Sequence, residues 1–126
     1  MQAFKTKAFT NWANGEGLGD AALGAAVSEM ERGLIDAQLG GQVIKKRVAL
    51  PGRGKRASSR TLVAFKQGDK AFFIYGFAKN ERANVNDKEL RALKLLAKEL
   101  LSYQAMSLTK AMKAGELLEI EVHDDG

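Results

Sequence analysis

The chain has 126 residues, 45% of them hydrophobic and 28% charged, with a net charge of +5 and no cysteine. That is one domain's worth of chain with enough apolar residues for a single core; disulfides, cysteine-based zinc sites and thiol catalysis are excluded. No apolar run approaches the roughly 20 residues that span a bilayer, and Met1 to Thr10 has no signal-type apolar stretch, so the expected setting is the cytoplasm.

In chain order, Ala3 to Phe9 predicts a first strand with Phe4 in the core, followed by Phe9 and Trp12 on a short turn or loop. Asn14 to Gly19 is a loop by composition. It resembles no phosphate-binding motif, because no lysine-bearing helix follows. Asp20 is a plausible N-cap for a helix to about Arg32. Leu23, Val27, Met30 and Leu34 fall on one of its faces, and Gly33 or Gly40-Gly41 ends it.

The most informative stretch is Lys45 to Lys66. It holds eight cations, Lys45, Lys46, Arg47, Arg53, Lys55, Arg56, Arg60 and Lys66, and no acid lies between Asp36 and Asp69. Such a field suits a polyanion, most commonly a phosphate backbone. Val43 to Leu50 alternates as a strand, Pro51 to Arg56 is a basic turn-rich loop, and Arg60 to Phe65 is a second strand. The unit is a basic hairpin. Gln67-Gly68-Asp69 is a tight turn into Lys70 to Lys79, apolar on both faces as a central strand is. Phe73, Tyr75 and Phe77 are core candidates, and any that share the face of the basic residues are placed to stack a base.

Asn86, with Glu89 three residues on, predicts a capping box. The helix it opens carries Leu90, Leu93, Ala97, Leu100 and Leu101 on one stripe and Lys88, Arg91, Lys94 and Lys98 outside it. A solvated face is the plainer reading of those bases. Ser107 to Ala114 is a short helix stopped by Gly115. Glu116 to Val122 alternates as a small strand or an extended tail, with Leu118, Ile120 and Val122 facing the core if it is a strand. The acidic end, with five acids and no base in the last twelve residues, is either a solubilising or edge segment or one that folds toward the basic groove. The expected class is α+β, an antiparallel sheet with helices packed against it.

The chain has one histidine, His123, which excludes a histidine-pair ribonuclease. The scattered carboxylates give no metal-site pattern, so neither metal nor cofactor is expected. What remains is cation chemistry on a phosphodiester. Arginines fork onto nonbridging oxygens and stabilise a pentacovalent transition state, while a lysine crowded by other cations can take a proton from a ribose 2′-hydroxyl. Lys45 and Arg47 share a strand face by period two, and Arg60 approaches them across the hairpin.

The residues Lys45-Lys46-Arg47-Val48-Ala49, Gly52-Arg53-Gly54-Lys55-Arg56, Ser59-Arg60-Thr61-Leu62 and Tyr75-Gly76-Phe77-Ala78-Lys79-Asn80-Glu81-Arg82, with the helix after Asn86, resemble the RelE/HigB family of toxin–antitoxin ribonucleases, most closely its HigB-type branch. The resemblance covers about Phe4 to Tyr103. It divides the chain into a toxin domain, 1–103, and a C-terminal extension of the same domain, 104–126. It implies a RelE-like fold and a ribosome-dependent mRNA endoribonuclease that inhibits translation by 2′-hydroxyl attack. Its implied partners are the ribosome, mRNA and a cognate antitoxin of helix-turn-helix type from the same operon, with no membrane. By the same resemblance Arg60, Lys45, Arg47 and Lys79 are the catalytic candidates. Lys46, Arg53, Lys55, Arg56, Arg82 and Tyr75 are the RNA-binding ones. The sequence departs from the family at Ala57-Ser58-Ser59, where close relatives favour glycines, and at Asn80, where the RelE branch has an arginine. The family's C-terminal catalytic tyrosine has no clear counterpart; Tyr75 and Tyr103 are the candidates. Two alternatives stay open: a ParE-like toxin of the same fold that binds gyrase, and a non-catalytic RNA-binding module.

Overall fold

The computed structural model describes residues 1–50, 54–78 and 85–122, with the backbone alone at 50 and 54–58. Its elements run β1 (Gln2–Thr6), α1 (Lys7–Glu16), α2 (Asp20–Glu31), β2 (Ala37–Gly40), β3 (Val43–Leu50), β4 (Gly54–Lys66), β5 (Lys70–Ala78), α3 (Asp87–Leu101), α4 (Ala105–Lys113) and β6 (Leu117–Ile120). The strands form one six-stranded sheet in the order β2-β3-β4-β5-β1-β6.

The class is the expected α+β. Four of the strand pairings are antiparallel and one, β1 with β5, is parallel. A parallel neighbour needs a long crossover, which here is everything between Thr6 and Lys70. Helices cover both faces of the sheet. On one face, Phe9 and Ala13 of α1 and Leu23, Val27 and Met30 of α2 pack on Ala3, Ile44, Val48, Val63, Ala71 and Phe73. On the other, Ala97 and Leu100 of α3 and Leu108 and Ala111 of α4 pack on Phe4, Val43, Leu62, Ala64, Phe72 and Ile74. Phe4 stacks on Phe72 with ring centroids 5.1 Å apart, and β1 register sets the two residues opposite each other.

Several local expectations change. Phe9 and Trp12 sit on a full helix, α1, whose first turn is capped by the Thr6 hydroxyl accepting from the Phe9 amide at 3.2 Å. It ends at Glu16 with Gly17 as its C-cap, where φ is +73°, so only Gly17, Leu18 and Gly19 remain of the expected loop. Gly19 rather than Asp20 is the N-cap of α2; Asp20 is instead spent on an ion pair with Lys5 at 2.6 Å. Leu34 lies beyond the helix and is 52% exposed. The segment after it forms the edge strand β2, which pairs with β3. The expected basic loop is shorter, because the backbone from Gly54 on already belongs to the 13-residue β4. The capping box of α3 is present, with the Asn86 side chain accepting from the Glu89 amide at 2.8 Å and Glu89 accepting from the Asn86 amide at 3.1 Å. Glu116 to Val122 is in part the edge strand β6, antiparallel to β1. Leu117 and Ile120 are buried there, while Leu118 is 38% exposed. A Cβ on Gly24 would meet the Glu121 carbonyl oxygen at 2.9 Å, so α2 closes directly over the end of this strand. The described part of the acidic end therefore belongs to the sheet edge away from β3; Asp124, Asp125 and His123 lie outside the described residues.

Candidate nucleic-acid interface

Strand register decides which cations meet. Arg47 stands directly opposite Arg60, and Lys45 opposite Leu62, in the β3–β4 ladder. Across β4–β5, Arg60 stands opposite Phe77 and Leu62 opposite Tyr75. Directly opposed residues share a sheet face, so Arg47, Arg60 and Phe77 form one row and Lys45, Leu62 and Tyr75 the next. Leu62 packs under α3 and α4, which puts both rows on that face. Three of the four catalytic candidates, Lys45, Arg47 and Arg60, are thus brought together with Tyr75. Lys79, Arg53 and Arg82 lie outside the described residues, and at Lys55 and Arg56 the backbone alone is described, in β4.

The aromatic partners depend on a bulge. Pairing jumps from Leu62–Tyr75 to Val63–Phe73, leaving Ile74 as an extra residue in β5. Strict alternation would keep Phe73, Tyr75 and Phe77 on one face. The bulge instead leaves Phe73 against Phe9 on the α1/α2 side, centroids 5.3 Å apart, and turns Tyr75 and Phe77 to the basic side, 6.1 Å from each other. Bulges re-aim side chains in this way beside functional sites. Between them Gly76 faces back, and Trp12 fills the space its missing side chain leaves: a Cβ there would collide with the indole.

Lys46 falls on the wrong face for the expected RNA contact. It is 7% exposed, its ammonium donates to the Leu34 carbonyl at 2.9 Å, and Glu29 pairs with it at 3.2 Å. It anchors the end of α2 rather than a ligand. Arg47 is partly engaged: the Asp36 carboxylate accepts from the Arg47 backbone amide at 2.7 Å and lies 3.6 Å from its Nε, yet the side chain is more than half exposed. The stretch without acids in sequence is thus met in space by Glu29 and Asp36.

Arg60 differs from both. It is half-buried in the middle of the sheet, and its Nη1 is buried with no hydrogen-bond partner among the described residues. A buried guanidinium nitrogen without an acceptor costs roughly 1–3 kcal/mol or more, an arrangement that an anion bound at the row would relieve. Ser59 next to it is likewise buried with an unpartnered hydroxyl, but Ser59 alternates to the opposite face.

Of the two tyrosine counterparts, Tyr75 is the one near the arginines. Its hydroxyl donates to Glu89 Oε2 at 3.3 Å, while the other Glu89 oxygen closes the capping box. One residue thus starts α3 and orients Tyr75, a carboxylate contact that the sequence pattern presented only as a cap. Tyr103 follows the far end of α3, whose 15 residues span about 22 Å. Burial, with Glu99 and Glu116 nearby, pushes its hydroxyl above the usual phenol range, the direction that keeps it protonated.

Among the described residues, no group of three His, Asp or Glu is placed to hold a metal ion, and no helix is long and apolar enough to cross a membrane. Compared with known proteins, residues 1–120 match the family model described as the RelE toxin of the RelE/RelB toxin–antitoxin system. No curated protein matches the chain.

Proposed function

The chain belongs to the RelE toxin family of toxin–antitoxin systems, and on that premise we propose that it is a ribosome-dependent mRNA endoribonuclease held in check by a cognate antitoxin. The observation that carries this reading is the buried, acceptor-less Nη1 of Arg60 in a row with Arg47. A nonbridging phosphate oxygen supplies the missing acceptor. As the 2′-oxygen attacks, the phosphorane gains negative charge, and a donor already in place stabilises it without reorganisation. Arg47 adds a second cation from the neighbouring strand, and Lys45 a third one row away.

Proton removal from the 2′-hydroxyl falls to the Tyr75–Glu89 couple. The phenol oxygen takes the 2′ proton as its own proton moves to the carboxylate it already contacts. The attack forms the P–O2′ bond and breaks the P–O5′ bond, leaving a 2′,3′-cyclic phosphate and a 5′-hydroxyl. Lys79, which the family pattern sets at the end of β5, is the candidate to protonate the leaving oxygen. The ribosome holds the message bent for in-line attack, a positioning contribution worth several orders of magnitude. A helix-turn-helix antitoxin from the same operon is the expected partner.

The test is Arg60→Ala, with growth arrest on induction and primer extension on translated messages as readouts. Cleavage should fall about 10²–10³-fold with the fold intact. A folded variant that arrests growth as the wild type does would remove Arg60 from the mechanism. Efficient cutting of naked RNA by the pure protein would remove the ribosome from it.

A further inference from the structure

The bases on α3 are the cations that the proposed chemistry leaves unused. Arg91, Lys94 and Lys98, with Leu95, line a groove of about 450 Å³ against Gly41 and Gln42 of the β2–β3 turn. In the described structure no carboxylate lies within ion-pairing distance of these three, whereas Lys5, Lys46, Arg47, Lys66 and Lys70 all have one. The acids of the same helix, Asp87, Glu89 and Glu99, pair with none of them among the described residues. Like charges three and four residues apart destabilise a helix by roughly 0.2–0.5 kcal/mol per pair, so α3 carries this row against its own stability.

Lys94 is also held in place without an acid. Gly40 and Gly41 have φ of +86° and +58°. A Cβ on Gly41 would lie 3.0 Å from Lys94 Cγ, and one on Gly40 would lie 3.2 Å from its Nζ. The bare turn lets the lysine stem lie flat across it with the ammonium at the rim. Leu95, 69% exposed, gives the groove an apolar floor between charges.

The groove joins the arginine row. It lies on the α3 side of the sheet, and β3 leads from Gln42 past Lys45 to Arg47, five residues or about 17 Å. Along α3 the cations recur about every 5 Å, a regular row of positive charge on flexible stems that suits a phosphate backbone.

We propose that this groove holds the sugar–phosphate backbone of a single RNA strand continuing from the Arg47–Arg60 row. The inference deepens the nuclease reading and rests on it for the direction of the strand. Its test separates the two, because it reads binding rather than cutting. Arg91→Gln, Lys94→Gln and Lys98→Gln are combined in the full chain, with circular dichroism to check the fold. Anisotropy of a fluorescent 20-nucleotide single-stranded RNA is followed from about 25 to 200 mM salt. Three lost phosphate contacts lower the slope of log K against log salt by about 2, and affinity near 0.1 M by about 10²-fold. A wild-type slope in the triple variant, or no RNA binding by the wild type at the lowest salt, overturns the proposal. So does selective loss of binding to a 20-residue polyaspartate with RNA binding kept, which would make the groove a seat for an acidic peptide. Failure of translated messages to be cut, with the slope change present, would instead remove the nuclease reading and leave the RNA track.

Discussion

The two faces of the sheet hold most of their cations differently. Under α1 and α2, Lys5 and Lys46 are buried, and each has a carboxylate, Asp20 or Glu29, within 3.2 Å. On the α3 side Arg47 has Asp36 at 3.6 Å but stays more than half exposed, while Lys45, Arg60, Arg91, Lys94 and Lys98 have no carboxylate partner among the described residues, and Arg60 keeps a buried donor unmatched. A buried cation fixed by an acid closes the fold. A cation fixed by strand register or by a bare glycine turn is left for something outside it. Charge count alone does not separate the two, since Lys45 and Lys46 are neighbours in sequence.

The comparison can be broken from either side, beginning with packing. Phe73→Ala empties the α1/α2 face beside Phe9, both rings fully buried, and should cost about 3–5 kcal/mol in denaturant unfolding. Urea melts that barely move would mean this face is not the structural one. Gly76→Ala sharpens the role of the bulge. Its methyl group would collide with Trp12, so an overpacking cost of about 1–3 kcal/mol is expected. Trp12 is the chain's single tryptophan, so a shift in intrinsic fluorescence reports the displacement; an unchanged spectrum and melt would contradict the close approach.

Asn86→Ala is smaller in stability and more telling in function. Loss of the cap costs about 1 kcal/mol and loosens the first turn of α3, which carries the Glu89 carboxylate that meets Tyr75. Cleavage should fall by more than the folded fraction does, and equal losses in the two would make Glu89 a cap only.

Much of this was legible in the sequence. Period two in Val43 to Leu50 put Lys45 and Arg47 on one face, and Asn86 with Glu89 announced the start of α3. Three things were not. β2 is four residues with glycine at its end, too short and too plain to signal a strand without its partner β3. The bulge at Ile74 leaves no mark in an apolar run, yet it decides which aromatics face the arginines. The acids that pair with Lys46 and Arg47 come from residues 29 and 36, upstream of the basic stretch. A strand pattern says that two lysines point opposite ways; it does not say which of the two meets a carboxylate.

The most direct test of that difference uses the neighbouring pair. Lys45→Met and Lys46→Met remove the same charge from adjacent positions on opposite faces, and each is measured for thermal stability and for the salt dependence of RNA affinity. Lys45→Met should lower the slope by about 0.7, one phosphate contact on a single strand, with little change in melting. Lys46→Met should keep the slope and lose about 1–3 kcal/mol of stability as Glu29 and the Leu34 carbonyl lose their partner. A lowered slope at Lys46, or an unchanged one at Lys45, would contradict the assignment of the two faces.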